Sequence, residues 1–131
     1  MKHLVIIALL AAALLVSPSW AYAQKANETE TEVLQAIAKC LLAGLPQDWY
    51  RAQVVVQLEK PNAPDGEVRY VFSRALARDQ FERFKPCDEQ APAKALVELR
   101  KELPPERRGW RAARFVLNRD GKFDLSYDYP K

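Results

Sequence analysis

The stretch from Trp110 to Tyr129 (WRAARFVLNRDGKFDLSYDY) constrains the fold of this 131-residue chain more than any other. Its second half alternates strictly between two sets of side chains: Phe123, Leu125, Tyr127 and Tyr129 on one side, and Lys122, Asp124, Ser126 and Asp128 on the other. An alternation of period two predicts a half-buried β-strand. Asn118, Asp120 and Gly121 come before it, and these residue types favour a tight turn. We therefore predict a closing β-hairpin.

An isolated hairpin is only marginally stable, so other elements must cover its aromatic face. Helical spacing of apolar residues predicts a first helix that ends near Ala43, before Gly44 and Pro46. Alternation predicts strands over 52–58 and 67–73, joined by the turn-forming sequence PNAPDG. Pro92 suits the first turn of a second helix that reaches about Leu103.

The segment 74–89 carries no clear pattern, and only Phe81 and Phe84 are expected to dock it onto the core. The element order is therefore α-β-β-α-β-β. We predict an α+β fold in which one antiparallel four-stranded sheet has its helices packed on one face.

The N-terminal segment has the pattern of a secretory signal peptide. A 13-residue apolar run, 4–16, follows Lys2 and His3, and Ala21-Tyr22-Ala23 is a small-x-small cleavage site. We predict a signal peptide over 1–23, cleavage after Ala23, a single α+β domain over 24–131, and a periplasmic or secreted location. An uncleaved anchor is the alternative; with cleavage, no stable membrane insertion is expected.

Export bears on the two cysteines, Cys40 and Cys87. An even pair in an oxidising compartment is compatible with a disulfide, whereas two buried free thiols are the alternative.

Without Lys2, the chain has 19 basic and 17 acidic residues, a net charge of +2. This near balance does not favour a nucleic-acid partner.

The sequence after Ala23 has no histidine, since His3 is the only one. A Ser-His-Asp or Cys-His catalytic arrangement is thereby excluded, and so is a zinc site of the His/Cys type. Asp124 and Asp128 share one strand face and could act as a carboxylate pair or bind calcium, although solvated surface charges are the simpler interpretation. We expect no catalytic residue, no metal and no cofactor.

Trp110 lies among Arg107, Arg108, Arg111 and Arg114. A basic patch with an aromatic residue could bind a phosphate backbone or stack a base. It could equally be a protein-binding surface, since tryptophan and arginine are enriched in hot spots, although a core Trp110 beside a solvated basic face is the simpler alternative. The expected partner-binding residues are Trp110, Arg111, Arg114, Asp124 and Asp128.

Several short segments together resemble the YezG-like immunity protein (antitoxin) family. They are Gly44-Leu45-Pro46 with Trp49, the strand 52–58, Tyr70-Val71-Phe72, the proline-flanked second helix, Gly109-Trp110, and Asp120-Gly121-Lys122-Phe123 with Tyr127 and Tyr129. The resemblance implies a small α+β protein that binds and neutralises a toxin. The signal peptide departs from this pattern, because members of the family are generally cytosolic and oppose nucleases.

The expected function is therefore that of a non-enzymatic periplasmic binding protein, an immunity-type inhibitor that occludes a toxin. Two alternatives stay open: an accessory or scaffold protein of the cell envelope that binds another envelope component or a small ligand, and a carboxylate hydrolase.

Overall fold

A computed structural model describes residues 30–131 of the chain. The predicted signal peptide and its cleavage site lie outside the described residues. Residues Gln35–Lys131 form one compact unit, and of the other unit, Met1–Leu34, only residues 30–34 are described, and these are helical.

The fold is α+β, with two α-helices in the described part and one antiparallel five-stranded sheet. The elements in chain order are α1 (residues 30–42), β1 (Trp49–Gln57), β2 (Glu67–Arg74), β3 (Ala77–Arg83), α2 (Ala91–Leu99), two 3₁₀ turns (Arg100–Glu102 and Pro105–Arg107), β4 (Ala112–Asn118) and β5 (Phe123–Asp128). The strand order across the sheet is β3-β2-β1-β4-β5.

The closing hairpin is confirmed as β4 and β5. Phe115 pairs with Leu125 and Leu117 pairs with Phe123. The Asn118 carbonyl accepts a hydrogen bond from the Gly121 N–H at 2.9 Å, and Gly121 has a φ of +88°, which glycine adopts without steric cost. The first hairpin, β1 and β2, is confirmed as well.

The predicted four-stranded sheet is wrong by one strand, because residues 77–83 form β3 at an edge of the sheet. Only three residue pairs join β3 to β2, and residues 78–81 bulge out opposite the single residue Ser73. Six of the seven residues of β3 are exposed, so no apolar alternation could mark it in the sequence. The resulting order is α-β-β-β-α-β-β.

One face of the sheet is buried. It carries Ala52, Val54, Val56, Tyr70, Phe72, Ala113, Phe115 and Leu117. The helix α2 packs against β1 and buries Leu96 and Leu99. Phe84 is docked as expected, since its ring lies 5.7 Å from that of Phe72, whereas Phe81 is exposed.

The two cysteines form a disulfide bond that ties α1 to the segment before α2. The Cα atoms of Cys40 and Cys87 lie 4.8 Å apart, and the Cys87 N–H donates to the Cys40 carbonyl at 2.9 Å. Of the two alternatives that the sequence allowed, the structure has the bridged one. None of the helices in residues 30–131 has the length and apolar character that a membrane crossing requires.

Candidate binding surface

The second face of the sheet, here called the open face, is formed by the residues that alternate with the core positions. Its members are Arg51, Gln53, Val55 and Gln57 on β1; Glu67, Arg69, Val71 and Ser73 on β2; Ala112, Arg114, Val116 and Asn118 on β4; and Asp124, Ser126 and Asp128 on β5. Apart from the buried Ser73, these residues are half-buried or exposed. Neighbouring side chains within the sheet screen one another and contribute to this partial cover.

The centre of the open face carries three valines around Gln53. Val71, Gln53 and Val116 lie side by side on β2, β1 and β4, and Val55 lies on the next row of the same face. All three valines are half-buried. The centre therefore offers apolar surface on a rigid backbone, as the core of a protein interface does.

Basic side chains flank these valines. Val55 has Arg69 on β2 and Arg114 on β4 as its two cross-strand neighbours, and Val71 has Arg83 on β3. All three arginines are exposed, and none forms an ion pair with any residue in 30–131, where the ion pairs are Arg74–Asp48, Arg74–Glu82 and Lys101–Glu98. The three guanidinium groups are thus available to a partner.

At one end of the open face, Tyr50 lies between two more arginines. The Arg78 guanidinium carbon is 4.2 Å from the centre of the Tyr50 ring, and that of Arg51 is 5.7 Å away. The Arg51 Nε–H also donates to Asn118 Oδ1 at 3.0 Å. Stacking on Tyr50 and hydrogen bonding hold the Arg78 and Arg51 side chains in place. Less conformational entropy is therefore lost when a partner contacts them.

Three of the five predicted contact residues lie together on the open face. Arg114, Asp124 and Asp128 are all exposed, and Val116 pairs with Asp124. Asp124 and Asp128 are four residues apart on a straight strand, about 13 Å at the usual rise per residue. The two catalytic carboxyl groups of a glycosidase are about 5 to 10 Å apart, so this arrangement does not match that chemistry.

Trp110 has no accessible surface and is therefore not available for a contact. Its ring stacks on Tyr127 with 5.6 Å between centroids, and the Arg100 guanidinium carbon lies 6.0 Å above it. The indole Nε1–H is buried without a hydrogen-bond partner in residues 30–131. Trp110 belongs to the core, as the simpler interpretation of the sequence held.

Arg111 is exposed but lies just before β4, outside the open face. Its guanidinium donates to the Glu59 carbonyl at 3.0 Å, and its backbone joins Leu58 and Asp128. It lines a groove of about 650 Å³ beside the loop that connects β1 to β2. Arg111 thus has a structural role in anchoring that loop.

A second groove, of about 470 Å³, separates α2 from the same loop. Val56, Val68, Ala93 and Val97 line its apolar part, and Asp65, Glu89 and Glu98 are the acidic residues around it. The nearby Tyr70 hydroxyl donates to the Glu89 carbonyl, and burial raises the pKa of Tyr70 to about 12. The hydrogen bond from Lys101 lowers the pKa of Glu98.

In residues 30–131, no group of three or more His, Cys, Asp or Glu side chains is placed to hold a metal ion.

The sequence predicts the open face only in part. The predicted contact residues do not include Arg69, Arg83, Val55, Val71 or Val116, although four of these occupy the polar-side positions of predicted strands. The strand alternation assigns each of these four to a face, but it does not say which strands become neighbours.

No protein-family model matches the chain, and no curated protein matches it.

Proposed function

We propose that this is a non-enzymatic binding protein that covers a polypeptide partner with the open face of its sheet. The observation that carries the proposal is the grouping of Val55, Val71 and Val116 with the exposed Arg69 and Arg114 on neighbouring strands. Apolar contacts at the centre, surrounded by arginine, are typical of interface hot spots. Regular strands also hold these side chains in place before binding, so little ordering is required.

The partner that we propose is a toxin, which makes the protein an immunity-type inhibitor that acts by occlusion. The resemblance to the YezG-like family supports this role. The sequence pattern of a signal peptide and the Cys40–Cys87 disulfide support an exported protein, because disulfides persist in oxidising compartments. The inhibitor would therefore meet its toxin in the periplasm or outside the cell.

The experiment starts from the neighbouring genes. A secreted toxin encoded beside this gene is expressed in the periplasm with and without the protein, and its affinity for the protein is measured by calorimetry. We expect growth to be rescued. Arg69→Glu and Arg114→Glu should each weaken binding at least about tenfold, the usual effect of a hot-spot change.

The matched control is Arg107→Glu, which makes the same charge change on an exposed residue of the second 3₁₀ turn, an element that contributes no residue to the open face. Rescue that is unaffected by changes at Arg69 and Arg114 would mean that another surface binds the toxin. Absence of any toxin gene, together with co-purification of an envelope complex, would favour the accessory role instead.

A further inference from the structure

The two edges of the sheet differ in how they are protected. At one edge, β3 is bulged over residues 78–81 and is rich in charge, and both features hinder pairing with another strand. At the other edge, β5 pairs with β4 in an unbroken register from Phe123 to Asp128. A regular edge strand of six residues without proline is competent to accept a further strand.

The backbone of β5 shows which residues face outward. The Asn118 N–H donates to the Lys122 carbonyl, and the Arg111 N–H donates to the Asp128 carbonyl, each at 2.8 Å. The even-numbered residues of β5 therefore direct their backbone groups towards β4. Because alternate residues of an antiparallel strand point their backbone groups to opposite sides, Phe123 and Leu125 direct theirs to the outer edge. In residues 30–131, no strand lies beyond β5.

We propose that a second copy of this chain pairs through β5, antiparallel and about a two-fold axis at Leu125, so that the two sheets join into one of ten strands. Such an interface is self-complementary, since each copy contributes the same strand. Hydrogen-bonded pairs can form only between residues whose backbone groups face the outer edge. Three registers meet this condition and overlap most of β5, and their two-fold axes lie at Asp124, Leu125 or Ser126.

The charges on β5 distinguish these three registers. An axis at Asp124 places that carboxylate opposite its own copy, and an axis at Ser126 places Asp124 opposite Asp128 of the second copy, twice. Like charges directly opposite each other destabilise a strand pair. The axis at Leu125 instead places Lys122 opposite Asp128 of the second copy, twice, and Asp124 opposite Ser126.

The core side of the strand fits the same register. Phe123 and Leu125 are half-buried, which leaves apolar surface at the outer edge of the core. The axis at Leu125 brings the two Leu125 side chains together. Cross-strand pairs of apolar side chains stabilise sheets. The open face of each copy stays exposed, so the dimer does not depend on the function proposed above.

A charge exchange tests the register. Lys122 and Asp128 are both exposed, and neither forms an ion pair with a residue in 30–131. Sedimentation velocity of the wild type over a wide concentration range should show a monomer–dimer equilibrium, with the micromolar or weaker affinity expected of one strand pair. Lys122→Glu alone and Asp128→Lys alone each create two repulsive pairs and should weaken the dimer about tenfold or more.

The double variant K122E/D128K should form the dimer again, and an equimolar mixture of the two single variants should form a heterodimer. Asp65→Lys, a charge reversal in an exposed loop, is the control and should leave the equilibrium unchanged. As a second measurement, Leu125→Cys should oxidise to a covalent dimer, whereas Asp65→Cys should not. A wild type that stays monomeric at every concentration overturns the proposal. So does a dimer that ignores the charge exchange and yields no Leu125→Cys cross-link.

Discussion

The Cys40–Cys87 disulfide should account for a large part of the stability of this small domain. The two cysteines are 47 residues apart in the chain, and closing a loop of that length lowers the entropy of the unfolded state. In the chain-entropy model the bond contributes about 4 kcal/mol to the free energy of unfolding at 25 °C. A typical domain of this size has a total of about 5–15 kcal/mol.

The perturbation is the double substitution Cys40→Ala/Cys87→Ala, which removes the bond and leaves no free thiol. Cys87 is exposed and Cys40 keeps its Cβ as alanine, so the loss of packing should be small beside the loss of the cross-link. Urea unfolding followed by circular dichroism is the assay. With a slope of about 2 kcal/mol per molar, the midpoint should fall by about 2 M.

The same experiment on the reduced wild type shows whether the loss of stability comes from the lost cross-link or from the two alanine substitutions themselves. If the bond acts through loop closure, the reduced wild type and the double variant should be equally destabilised. The slope should also rise in both, because the unfolded chain without a cross-link is more expanded. A loss of less than about 1 kcal/mol in the double variant would refute the loop-closure argument.

Three further predictions concern single positions. Gly44→Ala should destabilise the fold severely, because its Cβ would meet the Lys85 carbonyl oxygen, whereas Gly109→Ala, with open space around it, should leave the melting temperature nearly unchanged in calorimetry. The pKa of Tyr70 is raised from 10.0 to about 12, so its contribution to stability is complete below pH 10 and is lost as the pH rises through 12. Tyr70→Phe should remove that part of the pH dependence in urea unfolding, and an unchanged profile would contradict the assignment. Ser73→Ala should be neutral or stabilising by up to about 1 kcal/mol, since the buried hydroxyl has no hydrogen-bond partner in residues 30–131, and a clear loss of stability in the same urea assay would show that the hydroxyl is satisfied.

Local patterns predicted the parts of the fold that local physics controls. Strict alternation and the Asp120-Gly121 turn are sufficient to predict the hairpin β4–β5, because a strand with one buried face requires that pattern. The same reasoning fails for β3. Its residues 78–81 leave the ladder, and the chain around them carries no buried face that would impose an alternation. The end of α2 also differs, since the predicted helix to about Leu103 changes at Arg100 into a 3₁₀ turn.

The candidate binding surface also has a part that local patterns predict and a part that they do not. Arg114, Asp124 and Asp128 could be selected from the sequence because they lie on the polar side of one predicted hairpin. Trp110 also lies among basic residues in the sequence. Its burial, however, depends on Tyr127 and Arg100, which come from other elements. Burial of a side chain depends on what packs on it, so the local pattern offered a core Trp110 as one interpretation but could not decide it.

By itself, the sequence determined that the domain is α+β, that it has a hairpin within Trp110–Tyr129 and that no histidine follows Ala23. Each of these follows from residue types or from short-range periodicity. Only the tertiary structure decided that Cys40 and Cys87 are bonded, that β1 lies between β2 and β4, and that Val55 is flanked by Arg69 and Arg114. These features join residues distant in the chain, and such contacts depend on how the whole core packs rather than on any one segment.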